Sequence, residues 1–262
     1  MPKILVLGGT GKTGRRVAAG LRDQGLDPRV VSRSTPDRFD WADEATWAPV
    51  LRDISAVYVV DEGTDRLPEF TELAVKSGVQ RLVLLSARVW QEMGADLTSE
   101  QTIAQSGVDW TILRPTWFNQ NFTEDPMLAD PVKQGEVRLP TGDGREPFID
   151  VQDIADVAIA ALTQPGHAGK KYDLSGPRLL TWGDAVDEIA RATGRKITYV
   201  PIDRQAYTDD LSERGYPPEY AEVIVALFDH IREHRSERLS DGVQQVLGRE
   251  PRDFREYAKT IR

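Results

Sequence analysis

Three glycines near the N-terminus have the spacing of a turn that binds phosphate groups. Gly8, Gly11 and Gly14 follow the apolar run of residues 3–7 and precede a stretch with helical periodicity. A backbone without Cβ atoms can approach a pyrophosphate closely, and the N-terminus of the following helix presents free N–H groups to that anion. The pattern predicts a strand, a glycine turn and a helix that bind a dinucleotide; a turn needed only for tight packing is the alternative.

The residues at the end of the second apolar run, residues 29–32, indicate which dinucleotide is bound. In such folds an acidic residue at this place binds the 2′-hydroxyl of NAD, whereas a basic residue accepts the 2′-phosphate of NADP. The sequence has Ser32, Arg33 and Ser34 here and no carboxylate. A guanidinium and two hydroxyl groups can all donate hydrogen bonds to a phosphate. We therefore predict NADP(H), with NAD(H) and a merely solvated Arg33 as the alternative.

Strand-like and helix-like segments alternate through the first part of the chain. Because parallel neighbouring strands need crossover connections, this alternation predicts a parallel sheet covered by helices. The segment after Pro115 is rich in Asn, Pro and Gly and is interpreted as loops over a cleft. Helical periodicity returns at residues 152–164, 181–193 and 217–234. The predicted strands span residues 3–7, 29–32, 56–60, 81–86 and 110–113.

These patterns predict an α/β protein with a Rossmann-type, doubly wound parallel sheet and a small helix-rich C-terminal lobe. We expect one unit over residues 1–262, with the NAD(P)-binding core in about residues 1–155 and the lobe in about residues 156–262. The lobe is expected to close the substrate cleft. A chain of this length can bury a substantial hydrophobic core.

Composition excludes several classes of protein. The chain contains no cysteine, so it has no disulfide, thiolate nucleophile or cysteine-rich metal site. Its 42 acidic residues against 33 basic ones argue against partners such as nucleic acid or an anionic membrane. The sequence predicts no membrane span and no signal peptide, so we expect a cytoplasmic protein. His230 and His234 match a zinc-protease spacing without a third ligand, so no metal site is predicted.

Five segments together resemble the NmrA-like family of the atypical short-chain dehydrogenase/reductase superfamily. The similarity covers essentially the whole chain in collinear order. Within the family, the sequence looks closest to the branch of ergot-alkaloid reductases, such as festuclavine synthase, and of NAD(P)H-dependent quinone or azo reductase-like members. The five segments are ILVLGGTGKTG, SGVDWTILRPTWFNQNF, PFIDVQDIADVAIAAL, GRKITYVPI and VLGREPRDFREYA.

The resemblance implies that NADP(H) lies across the C-terminal ends of the strands. Arg33 and Ser34 would then bind the adenosine phosphate, and Asp40 and Trp41 would lie beside the adenine. For Trp41 a partly buried aromatic anchor is an equally good interpretation. The implied pyrophosphate contacts are Thr10, Gly11, Lys12 and Thr13, within the cofactor-binding turn from Gly8 to Gly14, and the residues expected to border the ribose and nicotinamide are Val60, Asp61, Ser86 and Ala87.

The sequence departs from the superfamily at the usual proton relay. Short-chain dehydrogenases carry Tyr-x-x-x-Lys after the strand that ends near Ser86, with Tyr as the general acid. Between Ala87 and Gly107 this chain has neither Tyr nor Lys. Ser86 and Glu100 remain as catalytic candidates, and a structural carboxylate that accepts hydrogen bonds is the alternative for Glu100.

Aromatic residues in the second half could wall a flat substrate. Trp90, Trp117, Phe118 and Phe148 are candidates for stacking against a conjugated or cationic molecule, with Asn119 or Asn121 as orienting polar groups. Ordinary core packing is the alternative for each aromatic residue.

Reduction of an iminium neutralises a charge already present, and quinone reduction can take protons from water, so neither needs the relay. We therefore predict an NADPH-dependent reductase of a small conjugated, iminium- or quinone-type substrate, in secondary metabolism. The alternatives are an NAD(P)-sensing regulatory protein without catalysis and a cyclase or isomerase that retains a structural cofactor. The sequence does not predict an oligomeric state.

Overall fold

Six parallel strands form the central sheet of the protein. The structure, a computed structural model, describes residues 3–61 and 63–261, so residues 1, 2, 62 and 262 of the predicted unit lie outside the described residues. The sheet has the strand order β2-β1-β3-β4-β5-β8. The strands of the chain are β1 (Ile4–Val6), β2 (Arg29–Val30), β3 (Ala56–Val60), β4 (Arg81–Leu85), β5 (Asp109–Pro115), β6 (Glu136–Leu139), β7 (Arg145–Glu146), β8 (Lys170–Leu174), β9 (Leu180–Thr181) and β10 (Thr198–Pro201).

Helices cover both faces of this sheet. The helices are α1 (Gly14–Asp23), α2 (Trp47–Leu51), α3 (Leu67–Lys76), α4 (Arg88–Glu92), α5 (Thr98–Ala104), α6 (Asn121–Glu124), α7 (Pro126–Gln134), α8 (Val151–Thr163), α9 (Trp182–Thr193), α10 (Arg204–Glu213), α11 (Pro218–Arg232), α12 (Gly242–Leu247) and α13 (Phe254–Ala258). A short 3-10 turn spans Glu44–Thr46. None of the helices in the described ranges is both long enough and apolar enough to cross a membrane.

Alternating side chains along each strand separate two hydrophobic cores. Ile4 and Val6 face a cluster that contains residues of α1 and α8, whereas Leu5 faces a cluster that contains Trp47 and Phe70 of α2 and α3. Because successive strand side chains point to opposite faces, an uninterrupted apolar run such as β1 is buried on both sides. The predicted doubly wound, Rossmann-type α/β fold is confirmed.

The C-terminal helices build a third core beside the sheet. Its centre is aromatic: Trp182 of α9 packs against Phe228 of α11 with the ring centroids 5.4 Å apart. The parallel pair β6–β10 and the antiparallel pair β7–β9 complete this helix-rich lobe. Strand β7 contacts α11 and β9, and Glu146 at its end lies beside Trp117, which follows β5 of the sheet.

The prediction of loops after Pro115 was wrong, because this segment contains α6, α7, β6 and β7. Its polar and proline residues start and end helices: Asp125 accepts a hydrogen bond from the Met127 N–H, and Pro126 occupies the first position of α7, where no N–H donor is needed. Gly135 ends α7 in a left-handed conformation. The sheet also extends past residue 155, since β8 pairs with β5.

Candidate functional site

The glycine turn is held together by close backbone contacts. Gly8 has φ +60°, and the Gly11 N–H donates to the Gly8 carbonyl oxygen over 2.8 Å. A Cβ atom on Gly14, where α1 begins, would lie 2.3 Å from that same oxygen. A Cβ atom on Gly11 would lie 3.1 Å from the Gly8 carbonyl oxygen, so the protein leaves more room for a side chain at Gly11 than at Gly14. Gly9, which the motif does not count, is also constrained, because its Cβ atom would lie 2.2 Å from a methyl group of the Val30 side chain.

A cavity of about 590 Å³ opens over this turn, and we call it the glycine-loop cavity. It runs from the turn past the end of β2 to the end of β3. The structure therefore brings together most residues that the sequence assigned to the cofactor. Those that line it are Gly8, Thr10, Gly11, Lys12, Thr13, Arg33, Ser34, Asp40, Trp41 and Val60. Gly14 lies beneath the turn, and Asp61, Ser86 and Ala87 line a neighbouring cavity of about 530 Å³ together with Trp90 and Glu100.

Two arginines near the end of β2 differ in their partners. Arg38, which the sequence interpretation passed over, pairs with Asp40 at 2.7 Å and with Asp43 at 2.9 Å. Arg33 is exposed, lines the glycine-loop cavity and makes no ion pair within the described residues. The guanidinium of Arg33 is therefore the one left available to a ligand phosphate at this end of the cavity.

Trp41 combines the two interpretations that the sequence allowed. Its ring packs edge-on against Phe39 and Phe70, with centroids 5.0 and 5.2 Å apart, so it anchors the loop after β2. The same side chain lines the glycine-loop cavity. An aromatic ring fixed in this way can present a rigid face to a flat ligand.

Lys12 connects the glycine turn to the segment after β5. Its ammonium group donates to Asn121 Oδ1 and to Asp125 Oδ2, each over 2.8 Å. Arg16 of α1 makes a parallel connection by donating to Glu124 over 2.8 Å. The lysine expected at the pyrophosphate and the asparagine expected at the substrate are therefore hydrogen-bonded to each other in this structure.

A second cavity of about 280 Å³ continues from the first, and we call it the tryptophan cavity. Lys12 and Phe118 line both cavities, so the two are adjacent. Trp117 is half-buried and stacks on Phe228 at 5.4 Å with an interplanar angle of 16°. The predicted residues that line the tryptophan cavity are Lys12, Ser86, Ala87, Trp90, Trp117, Phe118 and Asn121.

The structure does not place Phe148 and Asn119 in the substrate wall that the sequence predicted. Phe148 is only 2% exposed and packs 4.9 Å from Trp182 and 5.6 Å from Phe254, inside the aromatic core of the lobe. Asn119 is fully buried, and its side-chain amide has no hydrogen-bond partner within the described residues. Neither side chain lines the glycine-loop cavity or the tryptophan cavity, so both belong to the packing behind them.

Glu100 accepts hydrogen bonds from three sides. Arg114 Nε donates over 2.7 Å, Lys171 Nζ over 3.0 Å and Ser86 Oγ over 2.9 Å. Burial alone would raise the pKa of Glu100, but the hydrogen bonds from Arg114, Lys171 and Ser86 outweigh it and hold the pKa below its ordinary value. An ionised carboxylate that joins α5 to β5 and β8 accounts for these contacts, and they also occupy the Ser86 hydroxyl.

The two histidines do not share a helix face. His230 lies in α11, is buried and places Nε2 3.3 Å from Glu92 Oε2. His234 follows the end of α11 with φ +58° and hydrogen-bonds to Glu237 over 2.6 Å. The i, i+4 geometry of the motif is lost because the helix ends at Arg232.

Comparison with known proteins bears on the identity of this site. A sequence profile described as NAD(P)H-binding matches residues 8–165, and the profile of the NmrA-like family matches residues 96–258. Festuclavine synthase I of Penicillium roqueforti is 36% identical over 98% of this chain and 97% of its own length. The chain belongs to the NmrA-like family. This NmrA-like protein is also 35% identical to agroclavine dehydrogenase of Claviceps fusiformis, over 97% of the chain and 95% of the relative.

Solved structures show the same fold. The NmrA-like protein superimposes on an NADPH-dependent quinone oxidoreductase of Escherichia coli, complexed with NADPH, with a TM-score of 0.78 at 19% identity over 98% of this chain and 99% of that one. The predicted family is confirmed, as is the general class of NAD(P)H-dependent oxidoreductase.

Proposed function

We propose that this protein is an NADPH-dependent reductase that transfers hydride to a small conjugated, iminium- or quinone-type acceptor without a Tyr-Lys relay. The observation that carries the proposal is the pair of adjacent cavities, one over a glycine turn and one walled by Trp90, Trp117 and Phe118. The first suits a dinucleotide and the second a flat acceptor.

The residues of the glycine-loop cavity fit NADPH. Gly8 has a positive φ and a Cβ atom on Gly14 would collide with the Gly8 carbonyl oxygen, so the turn needs glycine at both positions, and the exposed guanidinium of Arg33 with the Ser34 hydroxyl suits a 2′-phosphate. When bound there, the dihydronicotinamide supplies the hydride. Asp40 does not compete for a ribose hydroxyl in the manner of an NAD-specific carboxylate, because Arg38 already pairs with it.

Positioning is the main contribution of the chain to this chemistry. Trp117 is fixed by its stack on Phe228, so the wall it presents is rigid. A rigid wall holds the acceptor carbon within reach of the donor, and such orientation supplies a large share of the rate enhancement of a two-reactant step. Ser86 cannot replace the missing tyrosine while its hydroxyl donates to the ionised Glu100.

The cofactor preference is tested with Arg33→Ala. Loss of a hydrogen bond to a charged group costs about 1.5 to 3 kcal/mol, so NADPH affinity should fall by one to two orders of magnitude while NADH affinity stays the same. The matched control is Arg22→Ala, which removes an exposed arginine in the last turn of α1, at the end of the helix away from the glycine turn. Fluorescence titration measures both affinities. Equal affinity of the unaltered protein for NADPH and NADH would contradict the NADP preference.

The acceptor class is tested by NADPH oxidation with menadione, an N-methyl dihydroisoquinolinium salt and a simple ketone in parallel. We expect turnover of the first two and little of the ketone. Tight NADPH binding without oxidation by any acceptor would instead indicate a sensor of the dinucleotide.

A further inference from the structure

We propose that Glu146 is the general acid of the tryptophan cavity and delivers a proton to the heteroatom of a neutral acceptor as hydride is added. The inference rests on the proposed reductase function and assigns a residue to it. Glu146 stands in β7, far in sequence from the usual Tyr-x-x-x-Lys position, and the sequence interpretation did not single it out.

The position of Glu146 is that of a buried carboxyl group in a cavity wall. The residue is 2% exposed and lines the tryptophan cavity together with Ser86, Trp90 and Trp117. Its Oε1 atom accepts only a long hydrogen bond, 3.4 Å, from the Trp117 N–H. Its Oε2 atom is buried and has no partner at hydrogen-bonding geometry within residues 3–61 and 63–261, although the Ser236 hydroxyl of the same cavity wall is near enough to act on the carboxyl group. One carboxyl oxygen is thus left for a molecule in the cavity.

The charged residues around Glu146 bind groups other than its carboxyl group. Arg88 of α4 donates to the carbonyl oxygens of Ser236 and Arg238 over 2.9 and 2.6 Å and lies 2.9 Å from Glu92. Glu92 adds a second negative charge, and His230 of α11 faces Glu92. At the mouth of the cavity, Lys12 and Asp125 pair with each other.

Within the described part of the chain, Glu146 makes no ion pair of its own. An unpaired buried carboxylate is costly, and such a group keeps its proton instead. A neutral carboxylic acid donates a hydrogen bond, and the oxygen of a quinone can accept it in place of one from water.

The pKa of Glu146 is consistent with this role. Burial raises it to about 7, and the Arg88 guanidinium, the Trp117 N–H and the Ser236 hydroxyl oppose this rise only in part, while Glu92 adds to it. A general acid is most effective when its pKa lies near the working pH.

The step balances with NADPH as the reductant. Hydride transfer carries two electrons to the quinone and leaves NADP+, and the resulting hydroquinone anion takes the proton of the Glu146 carboxyl group on oxygen. The products are a neutral hydroquinone and a Glu146 carboxylate, which regains a proton from water at the cavity mouth. An iminium ion becomes a neutral amine on hydride addition, so it does not need this proton. Glu146 should therefore matter for one acceptor class and not for the other.

Glu146→Gln tests the assignment, because it keeps the shape of the side chain and removes the acidic proton. With menadione, kcat should fall about 100-fold, in line with the usual contribution of general acid catalysis, while turnover of the N-methyl dihydroisoquinolinium ion changes less than about twofold. In the unaltered protein, kcat/KM for menadione should decline as the pH rises through about 7. The variant should lack this decline, and Glu146→Asp should restore part of the rate.

The matched control is Glu188→Gln, which removes another buried glutamate, one that pairs with Arg178 at 2.7 Å outside both cavities. Menadione turnover unchanged in Glu146→Gln would overturn the assignment. So would a raised KM for the iminium ion alone, which would show a carboxylate that binds cations. If none of the tested acceptors supports NADPH oxidation by the unaltered protein, the reductase proposal fails and the assignment of Glu146 fails with it. If the unaltered protein is active and Glu146→Gln is equally active, only the assignment fails.

Discussion

Individual glycines in the turn have different tasks, although the motif treats them alike. A Cβ atom on Gly14 would collide with the Gly8 carbonyl oxygen at 2.3 Å, whereas one on Gly11 would stand 3.1 Å from it. We expect Gly14→Ala to lower the melting temperature of the ligand-free protein, because backbone must move. Gly11→Ala should leave that temperature nearly unchanged yet weaken NADPH binding at least tenfold, since its Cβ atom would face the pyrophosphate.

Thermal unfolding without ligand and fluorescence titration with NADPH distinguish the two effects. Normal NADPH affinity in Gly11→Ala would contradict a close approach of the pyrophosphate at this residue.

Single residues were predictable from the sequence only where the motif is local. The turn from Gly8 to Gly14 and the Ser32-Arg33-Ser34 run are each short, and each follows one of two neighbouring parallel strands, so the strand–helix–strand order places both at one cavity. Glu146 carries no such signal, because Arg145, Glu146 and Pro147 read as an ordinary polar loop. The groups that act on its carboxyl group include Arg88 and the Trp117 N–H, which are distant in sequence. The position of Phe148 could not be predicted for the same reason, since its packing against Trp182 of the lobe determines the direction of its side chain.

Among the elements, α9 shows how a helix end contributes to stability. Thr181 Oγ1 accepts a hydrogen bond from the Asp184 N–H over 3.0 Å, and Asp184 accepts one from the Thr181 N–H over 3.0 Å, which completes a capping box. Thr181→Ala should reduce the free energy of unfolding by about 1 kcal/mol, because it removes the acceptor for one of the free N–H groups of the helix.

Urea denaturation measures this change, and Thr208→Ala, which alters a half-buried threonine inside α10 that caps no helix, serves as the control. An equal loss of stability in both variants would show that the box contributes nothing of its own.

Elements with strong periodicity or caps were predictable, and edge elements were not. The capping box and the apolar face of α8 are visible in the sequence. Strand β8 has only Tyr172 and Leu174 buried, which is too short an alternation to recognise, and its place in the sheet comes from pairing with β5. The helix α7 was missed because it contains two prolines, Pro126 and Pro131.

At the scale of the whole molecule, one buried acid should make stability depend on pH. Glu146 has its pKa raised from 4.5 to about 7 in the folded protein. As the pH rises between these values, the unfolded chain loses its proton while the folded chain keeps it. The contribution of this group is therefore fully present at low pH and is lost as the pH rises through about 7, a change of roughly 3 kcal/mol in the free energy of unfolding.

Comparison of the unaltered protein with Glu146→Gln by urea denaturation at about pH 5 and pH 8 isolates this dependence, since the amide does not titrate. The unaltered protein should lose stability relative to the variant at the higher pH. A difference that does not vary with pH would mean that the folded protein holds Glu146 ionised.

The bond that Lys12 makes across to Asn121 and Asp125 has a thermodynamic consequence for the two ligands. One ammonium group borders both cavities, so a cofactor phosphate that draws it away leaves an amide and a carboxylate newly available to the acceptor. Linkage then requires reciprocity: by whatever factor NADPH changes the affinity for the acceptor, the acceptor changes the affinity for NADPH by the same factor. We therefore expect the two dissociation constants to be coupled through a single side chain, and replacing Lys12 should uncouple them.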